Sequence, residues 1–210
     1  MKKAFTFSIA VTALEFIAAA MVYQYLPELI PIHWNVSGEV DTYGHRSMIF
    51  LAPVLSLLVT SGLYYLPGIV PKGDNIRRSG RSYPVKMVTV NLLMVVLLVV
   101  MATTALGLPT PVSAILLVSV GILMLFVGNY LPKIKPNYSF GVRLPWTLAS
   151  EPVWIKTHRF GGWVFFVIGL LFIIGAFAPA PINFIVPFAG LFSGMAVIAV
   201  YAYTAYRKDQ

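Results

Sequence analysis

The sequence predicts an all-α, polytopic integral membrane protein with six transmembrane helices and both termini in the cytoplasm. Three observations lead there. Of the 210 residues, 59% are hydrophobic and 10% charged, whereas a soluble domain carries about 25% charged residues. The apolar residues fall in runs of roughly 20, and at 1.5 Å per residue each run can cross a hydrocarbon layer about 30 Å thick. The basic residues between the runs are distributed very unevenly.

The first span covers about residues 4–26, directly after Lys2-Lys3. A basic start before an apolar run resembles a signal peptide. This run is too long for a signal core and lacks a small-x-small cleavage site, so it reads as a retained helix. Pro27 and Pro31 follow it. The second span, about 48–66, ends at Pro67, Gly68 and Pro71. The third, 86–108, and fourth, 112–131, are joined by Leu-Pro-Thr-Pro. The fifth, 160–177, and sixth, 184–206, are joined by Ala-Pro-Ala-Pro. Proline has no amide hydrogen and disfavours helix in the residue before it, so these are natural helix ends. The chain then divides into a two-helix unit, residues 1–71, with an outer loop at 27–47, and a four-helix unit, residues 72–210, with an inner loop at 132–159.

Charge sets the sidedness. With the N-terminus inside, 14 of the 15 Lys and Arg residues, Arg81 among them, face the cytoplasm, and only Arg46 lies outside. That is the positive-inside pattern. The net charge of +8 then marks topology and contact with anionic membrane lipid, with no direct nucleic-acid partner. The chain has no cysteine, which excludes disulfides, cysteine–zinc sites, iron–sulfur ligation and thiol catalysis.

The outer loop concentrates Glu28, His33, Trp34, Asn35, Glu39, Asp41, His45 and Arg46. Three readings stay open on the residues alone. Its histidines and acids could ligate a metal, although no His-x-x-x-His pair occurs. Asn35, Ser37-Gly38 and Asp41 suit a structured turn, with Trp34 at headgroup level. The loop also suits a recognition surface for a peptide arriving from outside.

The inner loop, residues 129–162, holds Asn129, Asn137, Arg143, Trp146, Thr147, Trp154, Lys156, His158 and Arg159. Trp146 and Trp154 are expected in the headgroups, beside cations that hold lipid phosphates. Ser150 followed by Glu151 predicts the capped start of a short helix lying flat on the membrane, with Val153 and Trp154 facing down. Gly161-Gly162 permits a close helix approach. No Gly-x-Ser-x-Gly, His-Glu-x-x-His or phosphate loop occurs, and the expectation is a protein that is not an enzyme and has no cofactor or metal.

Glu15 falls in the middle of the first span. A charge there costs roughly 2.5–3.5 kcal/mol on insertion scales. It is therefore expected either neutral and hydrogen-bonded, with Asn91 as one candidate partner, or facing a hydrated cavity. The second case would suit a small proton-coupled transporter.

Two motifs add a resemblance. Leu26 to Asp41, LPELIPIHWNVSGEVD, resembles a domain of unknown function found in many bacterial membrane proteins. Gly128-Asn129-Tyr130, Pro136-Asn137, Gly141-Val142-Arg143-x-Pro145-Trp146-Thr147-Leu148 and Val153-Trp154-x-Lys156-Thr157-His158-Arg159-x-Gly161-Gly162 resemble the signature of the SdpI family, immunity proteins against the sporulation-delaying-protein toxin. The resemblance implies a bacterial plasma-membrane protein that protects its producer from a secreted membrane-active toxin peptide. It also implies signalling, in which the toxin-occupied protein recruits a cytoplasmic ArsR-type repressor. On that basis His33, Trp34, Asn35, Gly38, Glu39 and Asp41 would meet toxin. Asn129, Asn137, Arg143, Trp146, Thr147, Trp154, Lys156, His158 and Arg159 would meet the repressor or hold the shape that does.

Overall fold

The computed structural model describes residues 1–80 and 82–209; Arg81, counted above among the inner basic residues, lies outside them. The described residues form eight α-helices and one two-stranded sheet: α1 (Lys2–Tyr23), β1 (Leu29–Trp34), β2 (Val40–His45), α2 (Leu51–Tyr65), α3 (Gly73–Arg77), α4 (Ser82–Ala105), α5 (Val112–Tyr130), α6 (Pro145–Ala149), α7 (Glu151–Gly175) and α8 (Ile182–Arg207). Among the described residues, six helical segments are long and apolar enough to cross a membrane. Their outward positions are apolar, with Leu14 64% and Phe192 71% exposed, as a hydrocarbon surround requires.

The spans pack as two groups of three. α4 lies against α1 and α2, while α7 lies between α5 and α8. α4 and α5 touch along one side.

The α5–α7 contact is made possible by glycine. A Cβ on Gly128 would lie 2.7 Å from the Gly162 carbonyl oxygen, and one on Gly121 would lie 2.8 Å from that of Gly169. The two pairs sit seven residues apart on antiparallel helices, so they form one seam where the backbones meet. The close approach expected at Gly161-Gly162 is made by Gly162; a Cβ on Gly161 would meet only side chains.

Two expectations for the inner segment are corrected. The short helix expected from Ser150 does not end within the segment. Ser150 does cap a helix, accepting a hydrogen bond from the Val153 amide at 3.4 Å, but that helix continues unbroken from Glu151 to Gly175. Trp154 is not a headgroup anchor. It is fully buried in an apolar cluster with Leu131 and Ile134.

Candidate functional site

The outer stretch is a β-hairpin. Leu29 pairs with His45 and Trp34 with Val40, with one unpaired residue on each strand. Asn35 builds the turn: its side-chain oxygen accepts from the amides of Ser37 (2.9 Å) and Glu39 (3.0 Å), and its Nδ2 donates to the Glu39 carboxylate (3.0 Å). Gly38 has φ +82°, a left-handed conformation that suits glycine. A Cβ there would also press on the Ser113 hydroxyl at the start of α5. Beneath the hairpin, Ile30 enters an apolar layer with Ala19, Leu26, Ile49, Ala52, Leu98 and Met101, and half-buried Trp34 packs on the same layer. The ribbon is thus bolted to the ends of α1, α2 and α4.

Its outward face carries chemistry. His33 Nδ1 donates to Asp41 Oδ1 at 2.6 Å, and both side chains are exposed. His33 beside Asp41 holds the Asp41 carboxyl below the ordinary 3.8. His45 is directed elsewhere, and its ring accepts from the Ser47 amide at 3.2 Å. Among the described residues no cluster of three histidines or acids has the arrangement of a metal site.

The inner residues separate into two sets. Asn137, Thr147, Trp154 and His158 are buried and knit the segment together. Asn137 accepts from the amides of Ser139 and Phe140 and donates to the Lys135 carbonyl. Thr147 accepts from the Leu144 amide at 2.9 Å and donates to the Val142 carbonyl at 2.8 Å. Trp154 Nε1 donates to the Ile134 carbonyl at 2.8 Å, and its indole stacks on the His158 ring at 4.0 Å. His158 Nδ1–H donates to the Trp154 carbonyl, and Nε2 accepts from the Val142 amide at 3.1 Å. Those partners require the neutral ring. Gly141, at φ +101°, passes so close to that ring that a Cβ would collide with it.

The second set is available to partners. Asn129, Arg143, Lys156 and Arg159 are exposed. Asn129 and Arg159 border one open groove of about 400 Å³ with Trp163 and Phe166. Arg143 donates to the Tyr138 carbonyl at 2.7 Å, and Lys156 lies 3.7 Å from Asp209. Trp146 is half-buried, edge-on to Tyr203.

Glu15 is 3% exposed, and neither carboxyl oxygen makes a well-formed hydrogen bond, with the Ser56 hydroxyl as its polar neighbour. The expected bond to Asn91 does not form. Asn91 Nδ2 reaches Thr12 Oγ1 at 3.0 Å and the Ser56 hydroxyl, because Thr12 lies nearly one turn closer to the Asn91 level than Glu15 does. Thr12, Ser56 and Thr60 were not singled out by sequence reasoning. Serines and threonines are common in membrane helices, and only packing brings these together. Asn75 and Ser79 were likewise missed; they tie α3 to the inner segment through the Pro136 carbonyl (2.8 Å) and the Lys135 amide (3.1 Å).

Both motifs have counterparts among known proteins. Residues 133–205 match the SdpI/YfhL protein family, and residues 10–57 match a domain of unknown function, DUF1648. The chain is 26% identical over 204 residues to the Immunity protein SdpI of Bacillus subtilis (strain 168), covering 96% of this chain and 95% of that protein. No solved structure matches.

Proposed function

We propose that this chain, a multi-pass bacterial plasma-membrane protein of the SdpI type, confers immunity by binding a secreted membrane-active peptide at its hairpin. The observation that carries the reading is the similarity to an immunity protein along nearly the whole chain. The charge pattern supports cytoplasmic termini, which puts the hairpin outside and residues 132–159 inside. His33, Trp34, Asn35, Gly38, Glu39 and Asp41 form the toxin-facing element: His33, Asp41 and Glu39 present polar groups, while Asn35 and Gly38 fix the turn. Toxin held there is withheld from its own membrane-active state. Arg143, Lys156, Arg159 and Asn129 form a cationic inner face suited to an acidic protein surface, such as that of an ArsR-type repressor, or to anionic lipid. Asn137, Trp146, Thr147, Trp154 and His158 hold that face in shape. The hairpin and the inner segment, rather than the two units 1–71 and 72–210, divide the two tasks, because α4 packs with α1 and α2.

The test is survival. A toxin-sensitive bacterium expressing the chain withstands the purified peptide, the His33→Ala/Asp41→Ala double variant does not, and Glu15→Gln does. Survival of the double variant at wild-type level would remove the hairpin from the mechanism.

A further inference from the structure

One group of buried polar side chains belongs neither to the hairpin nor to the inner segment. Thr12 and Glu15 lie on one face of α1. Ser56 and Thr60 meet them from α2, and Asn91 from α4; none is more than 3% exposed. The hydrogen bonds of this group leave a deficit of one kind. The two hydrogens of Asn91 Nδ2 go to the hydroxyls of Thr12 and Ser56, Thr60 lies at 3.5 Å, and Thr12 and Ser56 are 3.1 Å from one another. Asn91 Oδ1 and both Glu15 oxygens remain buried without a partner. All three are acceptors when Glu15 is ionised, and a protonated Glu15 would add a donor among them.

Charge points the same way. α2 contains no charged residue. The one charged side chain described on α4, Lys86, lies over the Phe140 ring of the inner segment at 4.5 Å. On α1, Lys2 and Lys3 stand at the N-terminal end. Tyr23 lies at the opposite end, under Arg46. An ionised carboxylate would stand uncompensated among apolar helices.

We propose that Glu15 is an intramembrane proton-binding site, its carboxyl holding one proton for the oxygens contributed by Asn91 and the neighbouring hydroxyls. The site is a dead end. Toward the hairpin the next layer is apolar, built from Ala19, Leu26, Ile30, Ile49, Ala52, Leu98 and Met101. Among the described residues, polar groups continue the other way, to the buried and unpartnered Ser8 hydroxyl, and Phe5 stacked on Tyr64 at 4.0 Å lies beyond it.

The test uses the full chain in lipid vesicles and dicyclohexylcarbodiimide, an apolar reagent for carboxyls that carry their proton. One adduct per chain is expected, located at Glu15, declining as pH rises and absent from Glu15→Gln. Infrared spectra give a second reading that needs no reagent access: a protonated-carboxyl band present in wild type and lost in Glu15→Gln. Asn91→Leu should shift that band toward weaker hydrogen bonding. The absence of any Glu15-dependent band would overturn the proposal. Protection of Glu15 by sodium but not potassium would replace the proton with an alkali cation. A proton leak across vesicles that depends on Glu15 would overturn the dead end.

Discussion

His33 and Asp41 share one short hydrogen bond in the open, and its pH dependence has a definite sign. Because the folded-state acidity of Asp41 lies below the ordinary 3.8, what the Asp41 carboxylate contributes is present above that value. It fades only as pH falls through the lowered value. Carboxyl-carbon NMR should give Asp41 a midpoint under 3.8, and His33→Ala should return it to the ordinary range. His158 offers a different test. Replacing it with leucine leaves the half-buried Val142 amide without its acceptor, a loss of about 0.5–1.5 kcal/mol. Hydrogen exchange at Val142 should accelerate while exchange in α1 stays unchanged. The importance of His158 was readable from the sequence; its use was not. Nothing in the order of residues says that a histidine among cations folds inward onto a tryptophan and an amide.

At the scale of elements, the glycine seam makes the sharpest prediction. Gly128→Ala forces a methyl against a facing carbonyl, and overpacking of this kind costs about 1–3 kcal/mol. Gly62, with nothing within 4 Å of the added atom, is the control: helical Gly→Ala gains about 0.5–1 kcal/mol. Thermal unfolding in detergent should therefore drop for Gly128→Ala and hold or rise for Gly62→Ala. The six spans were legible because proline and apolar length speak locally. The start of α7 at Glu151 was not, because Lys156, His158 and Arg159 in its first turns look like loop until Trp154 and His158 turn inward. The two strands of the hairpin were missed for a related reason. Asn35, Ser37 and Gly38 announce a turn, but strands exist only through each other, and the partner of Leu29 is sixteen residues away at His45.

For the whole molecule, the prediction concerns sidedness. The absence of native cysteine makes single replacements clean reporters. Ser37→Cys should react with an impermeant thiol reagent on intact cells, and Ser139→Cys only after lysis; the reverse order would invert the arrangement. Charge alone proposed this topology, whereas the convergence of Thr12, Ser56 and Asn91 required three helices to be placed together. Gly38 at the hairpin tip rests on Ser113, where α5 begins, and the far end of α5 leads into the cationic inner segment. A peptide that prised the tip upward would uncover the head of that helix. Any side chain placed at position 38 would therefore disturb the first turn of α5 as well as the tip itself.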